Sequence, residues 1–321
     1  MITWVTTGGS GFIGGAVLCE IARRRGAGDR LIALGRRRPA DRPFDHFECV
    51  DLENHSDLAA IVRKIAPTHV VHAAGRTRPA DPSLIYRSNT LATLNLLDAC
   101  KDLDHRVRFV VAGSAAELGP VPDCDLPVGE SYPPRPVDPY GLSKHLATVA
   151  TLLAAPPIEP VVARLFNPIG PWLSIHHVFG KFAHLLAHAE TDPVVVKLRD
   201  LTIRRDFFDV RDAAEALVEL ALHGSSGRIY HVGSGSSRSI GEGLDRLIAL
   251  SGRKVVLDRD DAAPPREHAA SSSQNMSSQP AVSNPIDSRA NISAIVAETA
   301  WRPRIDFEQS LEDLWRGIAH P

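Results

Sequence analysis

The segment Tyr140-Gly141-Leu142-Ser143-Lys144 sets a phenol and an ammonium four residues apart, on one face of any helix that runs through them. A neighbouring cation favours a phenolate, which is what a hydroxyl needs to act as general acid or base. Ser114 closes an apolar run, where its hydroxyl could bond the same reacting oxygen as Tyr140; a strand-end cap is the structural alternative. A second chemical group is the turn Thr7-Gly8-Gly9-Ser10-Gly11-Phe12-Ile13-Gly14. Residues without Cβ permit positive φ and let backbone N–H groups and a helix N-terminus approach a pyrophosphate. Gly8, Gly11 and Gly14, with Phe12 and Ile13 between them, therefore read as a dinucleotide-binding turn.

The next apolar run ends in Leu34-Gly35-Arg36-Arg37-Arg38. An acid there would accept bonds from the ribose 2′-hydroxyl of NAD, whereas guanidinium groups offer charge-assisted bonds to a 2′-phosphate. Arg36 thus favours NADP(H), with NAD(H) the other possibility and a solvated basic turn the bland reading. Asp51 and Leu52 could hold an adenine by a carboxylate bond and an apolar contact, or Asp51 could cap a helix. Arg204 and Arg205, with Lys197 and Arg199 nearby, could neutralise a substrate diphosphate or pair with Asp206, Asp209 and Asp212. Asp209 and Asp212 also suit a helix N-terminus.

Positioning these groups requires a scaffold, and the first half alternates apolar β-branched runs with helix-period segments. Strands are expected at 2–7, 31–35, 47–50, 69–73, 107–112 and 161–165, and helices at 12–25, 58–65, 83–100 and 140–153. That is an α/β fold, a Rossmann-type doubly wound parallel sheet whose ligands bind at the strands' carboxyl ends. Residues 1–165 form the expected dinucleotide-binding domain, and 166–321 mainly a smaller substrate-binding lobe, with parts of 205–235 returning to the first. In that second region strands are expected at 194–197 and 228–232, and helices at 210–223, 240–250, 288–299 and 307–317. Three prolines and six serines over 262–284 predict a mobile loop.

The chain has 321 residues, 44% hydrophobic and 23% charged, which excludes global disorder. With 36 basic against 38 acidic residues, a net charge of −2 argues against a nucleic-acid partner. No apolar run reaches about eighteen residues and Met1 opens no basic leader, so a cytoplasmic protein without membrane attachment is expected. Cys19, Cys49, Cys100 and Cys124 have no disulfide or CxxC spacing and read as small apolar residues. His177, His184 and His188 could share a helical face, but no carboxylate or thiolate at ligand spacing completes a set, so no metal is expected.

Thr7-Gly8-xx-Gly11-xx-Gly14, Val71-His72-Ala73-Ala74, Tyr140-xxx-Lys144 and Arg164-Leu165-Phe166-Asn167 stand in the order and spacing of a known family. The chain resembles the extended short-chain dehydrogenase/reductases, the nucleotide-sugar epimerase/dehydratase group. The resemblance implies a Ser114–Tyr140–Lys144 catalytic triad, with Lys144 also holding the cofactor ribose. It further implies a cofactor contact at Ala73, substrate contacts at Ser114, Tyr140, Asn167 and Arg205, and an Asn89 near the active site.

Within the group the pattern is most similar to the reductases of GDP-4-keto-6-deoxy-mannose, through 113–119, 135–140, 166–171 and 205–212. Those reductases usually have His after the Phe-Asn pair and Gly-Gln after Gly-Pro, where this chain has Pro168 and Trp172-Leu173. Their late Arg-Pro-x-Asp motif has no clear counterpart at Gln279-Pro280-Ala281-Val282. Sugar 4,6-dehydratases carry an acid/base side chain two places beyond the catalytic hydroxyl; here Ala115 and Ala116 follow Ser114, and Glu117 alone stands near.

The implied activity is NADPH-dependent reduction of a 4-keto nucleotide sugar by a homodimer joined through the helices at 83–100 and 140–153. The alternatives are a 4-epimerase with tightly held NAD, a ketoreductase of a substrate that is not a nucleotide sugar, and a non-catalytic dinucleotide sensor.

Overall fold

A computed structural model describes residues 1–77, 80–198, 200–259 and 287–319. The loop expected at 262–284, the segment Gln279–Val282 and Arg199 lie outside the described residues.

Six strands and five helices alternate through the first half of the chain. The strands are β1 (Thr3–Thr7), β2 (Arg30–Gly35), β3 (His46–Cys49), β4 (His69–His72), β5 (Val107–Ser114) and β6 (Ile158–Leu165). The helices are α1 (Phe12–Arg24), α2 (His55–Ile65), α3 (Pro82–Tyr86), α4 (Ala92–Lys101) and α5 (Pro139–Leu152). The helix expected at 83–100 is not continuous: a π turn over Arg87–Leu91 separates α3 from α4.

Beyond β6 come β7 (Asn167–Ile169), α6 (Val178–His188), β8 (Val194–Leu198), β9 (Arg204–Arg205) and β10 (Phe207–Asp209). They are followed by α7 (Val210–His223), β11 (Arg228–Val232), β12 (Arg238–Ser239), α8 (Ile240–Ser251), β13 (Val255–Arg259), α9 (Ser293–Glu298) and α10 (Phe307–Ala319).

Seven strands form one sheet in the order β11-β6-β5-β4-β1-β2-β3, every pairing parallel. Strands buried on both faces must be apolar at successive positions, and β1 (Thr-Trp-Val-Thr-Thr) is buried throughout. Its side chains alternate between two cores. Trp4 joins Leu31, Val17 and Leu217 on one face, while Val5 joins Ile32, Leu58 and Leu96 on the other. Helices α1 and α7 cover the first face and α2 and α4 the second.

Strand order reverses at β1, because β2 follows β1 on one side and β4 flanks it on the other. A crevice opens at such a switch point beyond the strands' carboxyl ends. A third core gathers Phe179, Phe207, Leu244, Phe307 and Leu311 from α6, β10, α8 and α10, and forms the wall opposite that crevice. No helix among the described residues is long and apolar enough to cross a membrane.

Candidate active site

A cleft of about 1370 Å³ runs along the carboxyl edge of the sheet. Pockets for a single small ligand are commonly about 300–1,000 Å³, so this volume suits a dinucleotide and a second molecule together. Its lining includes Gly8, Gly11, Phe12, Ile13, Gly14, Arg36, Asp51, Leu52, Ala73, Ser114, Tyr140, Lys144, Asn167 and Arg205. The fold thus brings these residues to one surface, although they span about two hundred positions of chain.

The glycine turn shows why two of its glycines are fixed by the protein itself. Gly8 has φ +74°, and a Cβ there would lie 2.7 Å from the Ala73 carbonyl oxygen. A Cβ on Gly14 would lie 2.3 Å from the Gly8 carbonyl oxygen. Gly11, the N-cap of α1, meets nothing closer than 3.2 Å. No side chain caps α1 and its first turn carries no acid, so its N–H groups and positive dipole end face the cleft and fit an anionic pyrophosphate.

The arginine run divides. Arg36 and Arg37 line the cleft, whereas Arg38 turns away and lies over the Phe44 ring at 4.8 Å. Asp51 stands 3.9 Å from Arg36 and accepts a bond from Glu53 N. Asn54, not Asp51, caps α2, through Asp57 N.

Ser114 is the last residue of β5 and the N-cap of a short 3₁₀ turn, in which its Oγ accepts from Ala116 N and Glu117 Oε1 accepts from Ser114 N. Strand end, cap and cleft wall therefore coincide in one residue. Helix α5, capped by Asp138 through Gly141 N, lies so close to that turn that a Cβ on Gly141 would sit 2.4 Å from the Ala116 carbonyl oxygen. This close approach fixes α5 against that turn, and Tyr140 and Ser114 both line the cleft.

Lys144, one turn further along α5, donates to the Ala112 carbonyl at 2.7 Å. Burial pushes its pKa down to about 8, against a smaller upward pull from Glu117.

Glu117 itself is sealed off. It is fully buried and bonded at 3.0 Å to Arg164, also fully buried, whose other nitrogen meets His231 Nε2. Glu117 does not line the cleft. Arg164 follows the apolar run Val161–Ala163 in β6, and a charge there requires a buried partner; that was the available signal in the sequence.

Behind the cleft runs a buried hydrogen-bond chain that sequence reasoning quoted only in fragments. Ala74 N donates to Thr7 Oγ1 and Thr7 Oγ1 meets His72 Nδ1 at 2.7 Å; His72 Nε2 meets Thr93 Oγ1, and Thr93 donates to the Asn89 carbonyl. Since the Thr93 proton is committed to Asn89, His72 carries its proton on Nε2 and accepts from Thr7. Burial lowers the His72 pKa to about 3, which keeps the ring neutral. Asn89, within the π turn, donates from Nδ2 to Ser143 Oγ at 2.9 Å, and Ser143 donates to the Tyr140 carbonyl. The glycine turn and the Tyr140–Lys144 helix are thereby linked through β4 and α4.

On the opposite wall β7 pairs with β10, and Asn167 Nδ2 and N both donate to the Asp206 carbonyl. Arg205 faces the cleft, with burial lowering its pKa. Arg204 instead bonds Ser237 O and Glu242, so the expected basic cluster separates. The aspartates are structural: Asp206 gathers Ser234, Gly235 and Ala290, Asp209 caps α7 and takes Arg211 and Ser310, and Asp212 accepts from Arg304 N and Ile305 N.

His176 and His177 also line the cleft, which the sequence reading did not anticipate. His177 is the N-cap of α6 and so does not share a helical face with His184 and His188. Among the described residues no three His, Cys, Asp or Glu are grouped to hold a metal.

A profile of the NAD dependent epimerase/dehydratase family matches residues 4–233. The chain belongs to that family. One relative is the GDP-6-deoxy-D-mannose reductase of Pseudomonas aeruginosa, 31% identical over 254 residues that cover 76% of this chain and 78% of the relative. The solved structure of RMD from Pseudomonas aeruginosa complexed with NADPH superposes with a TM-score of 0.79 at 25% identity, covering 99% of both chains. The UDP-glucose 4-epimerase of Thermus thermophilus, complexed with NAD, superposes with a TM-score of 0.80 at 26% identity, again over 99% of each chain. The seven-stranded parallel sheet is the fold shared by these family members.

Proposed function

We propose that the chain is an NADPH-dependent reductase of a 4-keto nucleotide sugar, with Ser114, Tyr140 and Lys144 as its catalytic residues. The observation that carries this reading is a single cleft with the Tyr140–Lys144 helix and Ser114 at the carboxyl end of β5, the glycine turn between them and a pair of arginines, and Glu117 sealed against Arg164. The names of the Pseudomonas aeruginosa reductase and of the NADPH complex support the same choice of chemistry and cofactor.

When bound, the dinucleotide would supply the hydride. The backbone N–H groups from Gly11 to Gly14 would hold its pyrophosphate, Arg36 and Arg37 its 2′-phosphate, and Leu52 and Ala73 its adenine side. Ser114 hydrogen-bonds the C4 carbonyl oxygen and Tyr140 delivers a proton to it as negative charge develops. Lys144, released from Ala112, places its ammonium beside the phenol and the ribose. Arg205 and Asn167 receive the substrate's diphosphate side. Dehydration would need a carboxylate free to exchange protons, and Glu117 is committed elsewhere.

The test is NADPH oxidation in the presence of 4-keto sugars linked to GDP, dTDP, CDP and UDP. One equivalent of NADPH consumed per product supports the proposal, and no oxidation with any of the four removes it. The epimerase alternative, which the likeness to the Thermus thermophilus enzyme keeps in view, requires a dinucleotide retained through purification and no net NADPH consumption.

A further inference from the structure

The loop that carries the arginine run does not hang free. Pro39 sits against Gly9, and Arg42 lies where a Cβ on Gly15 would come within 2.8 Å of its Nε, so bare glycine backbone in the glycine turn and in the first turn of α1 seats them in succession. From the opposite wall, the turn after β7 brings Trp172 over the Arg42 guanidinium, 3.8 Å from the ring centroid. The same turn continues into Leu173, which lines the cleft, and His177, whose ring faces Phe12 of the glycine turn at 6.5 Å. Arg42 and Trp172 stand at the edge of the cleft while their neighbours Pro39 and Leu173 line it, so the contact ties the loop after β2 to the turn after β7 beside the glycine turn.

Trp172 holds this position at a cost. Its φ is +68°, a left-handed conformation that bulky residues rarely adopt, and the residue is still 53% exposed. Burial does not account for a strained, half-exposed tryptophan; the arginine beneath it does.

We infer that Arg42 and Trp172 are positioning residues that clasp the bound dinucleotide in the cleft and set the rate at which it leaves. This rests on the dinucleotide reading of the cleft and is independent of which sugar is reduced. With the clasp closed, the loop bearing Arg36 and Arg37 is tied to the substrate wall; release requires the ring and guanidinium to part. A reductase must pass through that opening in every turnover.

The test is stopped-flow measurement of NADPH release from the wild type and from Trp172→Gly, Trp172→Phe, Arg42→Met and the double variant combining Trp172→Gly with Arg42→Met, with thermal midpoints for each. A cation–π contact of this kind should change the release rate by about ten-fold, so Trp172→Gly and Arg42→Met each release NADPH faster by that order. Trp172→Phe keeps most of the retention. The double variant releases no faster than either single one, because both remove the same contact.

Glycine accepts φ +68° without strain, so the thermal midpoint of Trp172→Gly should hold or rise while retention falls; a purely structural contact would lower the midpoint and leave release alone. Release within about two-fold of wild type in the folded single variants, or additive effects in the double variant, overturns the clasp alone. A wild type that binds neither NADPH nor NADH overturns the clasp and the cofactor reading together.

Discussion

At the scale of single residues, Tyr140 and Glu117 have opposite duties. Tyr140 faces the cleft, and Tyr140→Phe should lower kcat by about 10²- to 10⁴-fold while leaving NADPH affinity nearly unchanged, measured by steady-state kinetics and fluorescence titration. Glu117 faces away, so Glu117→Gln should act on stability instead: leaving Arg164 charged and unpaired costs about 3–5 kcal/mol, read by denaturant unfolding. A variant at position 117 that kept full stability and lost only kcat would return Glu117 to the chemistry.

Lys144 adds a pH signature. Its pKa is depressed to about 8, so the ammonium the mechanism uses is present below that pH and lost as pH rises through it; kcat/KM should decline above about pH 8. The linked stability effect has the opposite sense, since a depressed lysine destabilises the fold while charged and the penalty fades as pH climbs from about 8 toward the unfolded value.

At the scale of elements, the site depends on how closely α5 meets the turn after β5. Gly141→Ala puts a methyl 2.4 Å from a carbonyl oxygen that cannot yield, and should cost about 1–3 kcal/mol together with most of the activity. Gly129, where a Cβ meets nothing within 4 Å, is the control and should tolerate Ala. In α7, burial lifts the Asp212 carboxyl to about 6, above its unfolded value near 4. The folded state therefore binds that proton more tightly, and the stabilisation is present at low pH and lost as pH rises through about 6. Asp212→Asn keeps an acceptor for Arg304 N and Ile305 N without the charge, so it should raise the thermal midpoint at pH 8 and flatten its fall between pH 4 and 6.

Strand and helix positions were legible because burial on both sheet faces leaves short runs of successive apolar residues, as in Phe109–Ala112 of β5 and Val161–Ala163 of β6. The π turn at Asn89 was not, since its pattern of apolar residues continues through the bulge and only a buried Asn marks it.

At the scale of the whole molecule, the motifs near Gly8, Ser114 and Tyr140 were readable because each is local, a few residues whose spacing sets its own geometry. What joins them was not: the His72 chain, the Arg164–Glu117 pair and the Arg42–Trp172 contact each unite residues tens of positions apart. Helices α4 and α5 leave Leu94, Leu142, Leu146 and Val149 exposed on the surface away from the sheet. We propose that two copies of the chain pair through this face, so that Leu146→Glu with Val149→Glu should give a monomer in light scattering where the wild type gives a dimer.

The most direct measurement of the central claim is the fate of the hydride. With NADPH carrying deuterium at both positions of its nicotinamide C4 and a 4-keto nucleotide sugar, we predict product carrying one deuterium at C4 for each NADP formed. Product without that deuterium, or dinucleotide recovered still reduced and deuterated while the sugar changes, would contradict it.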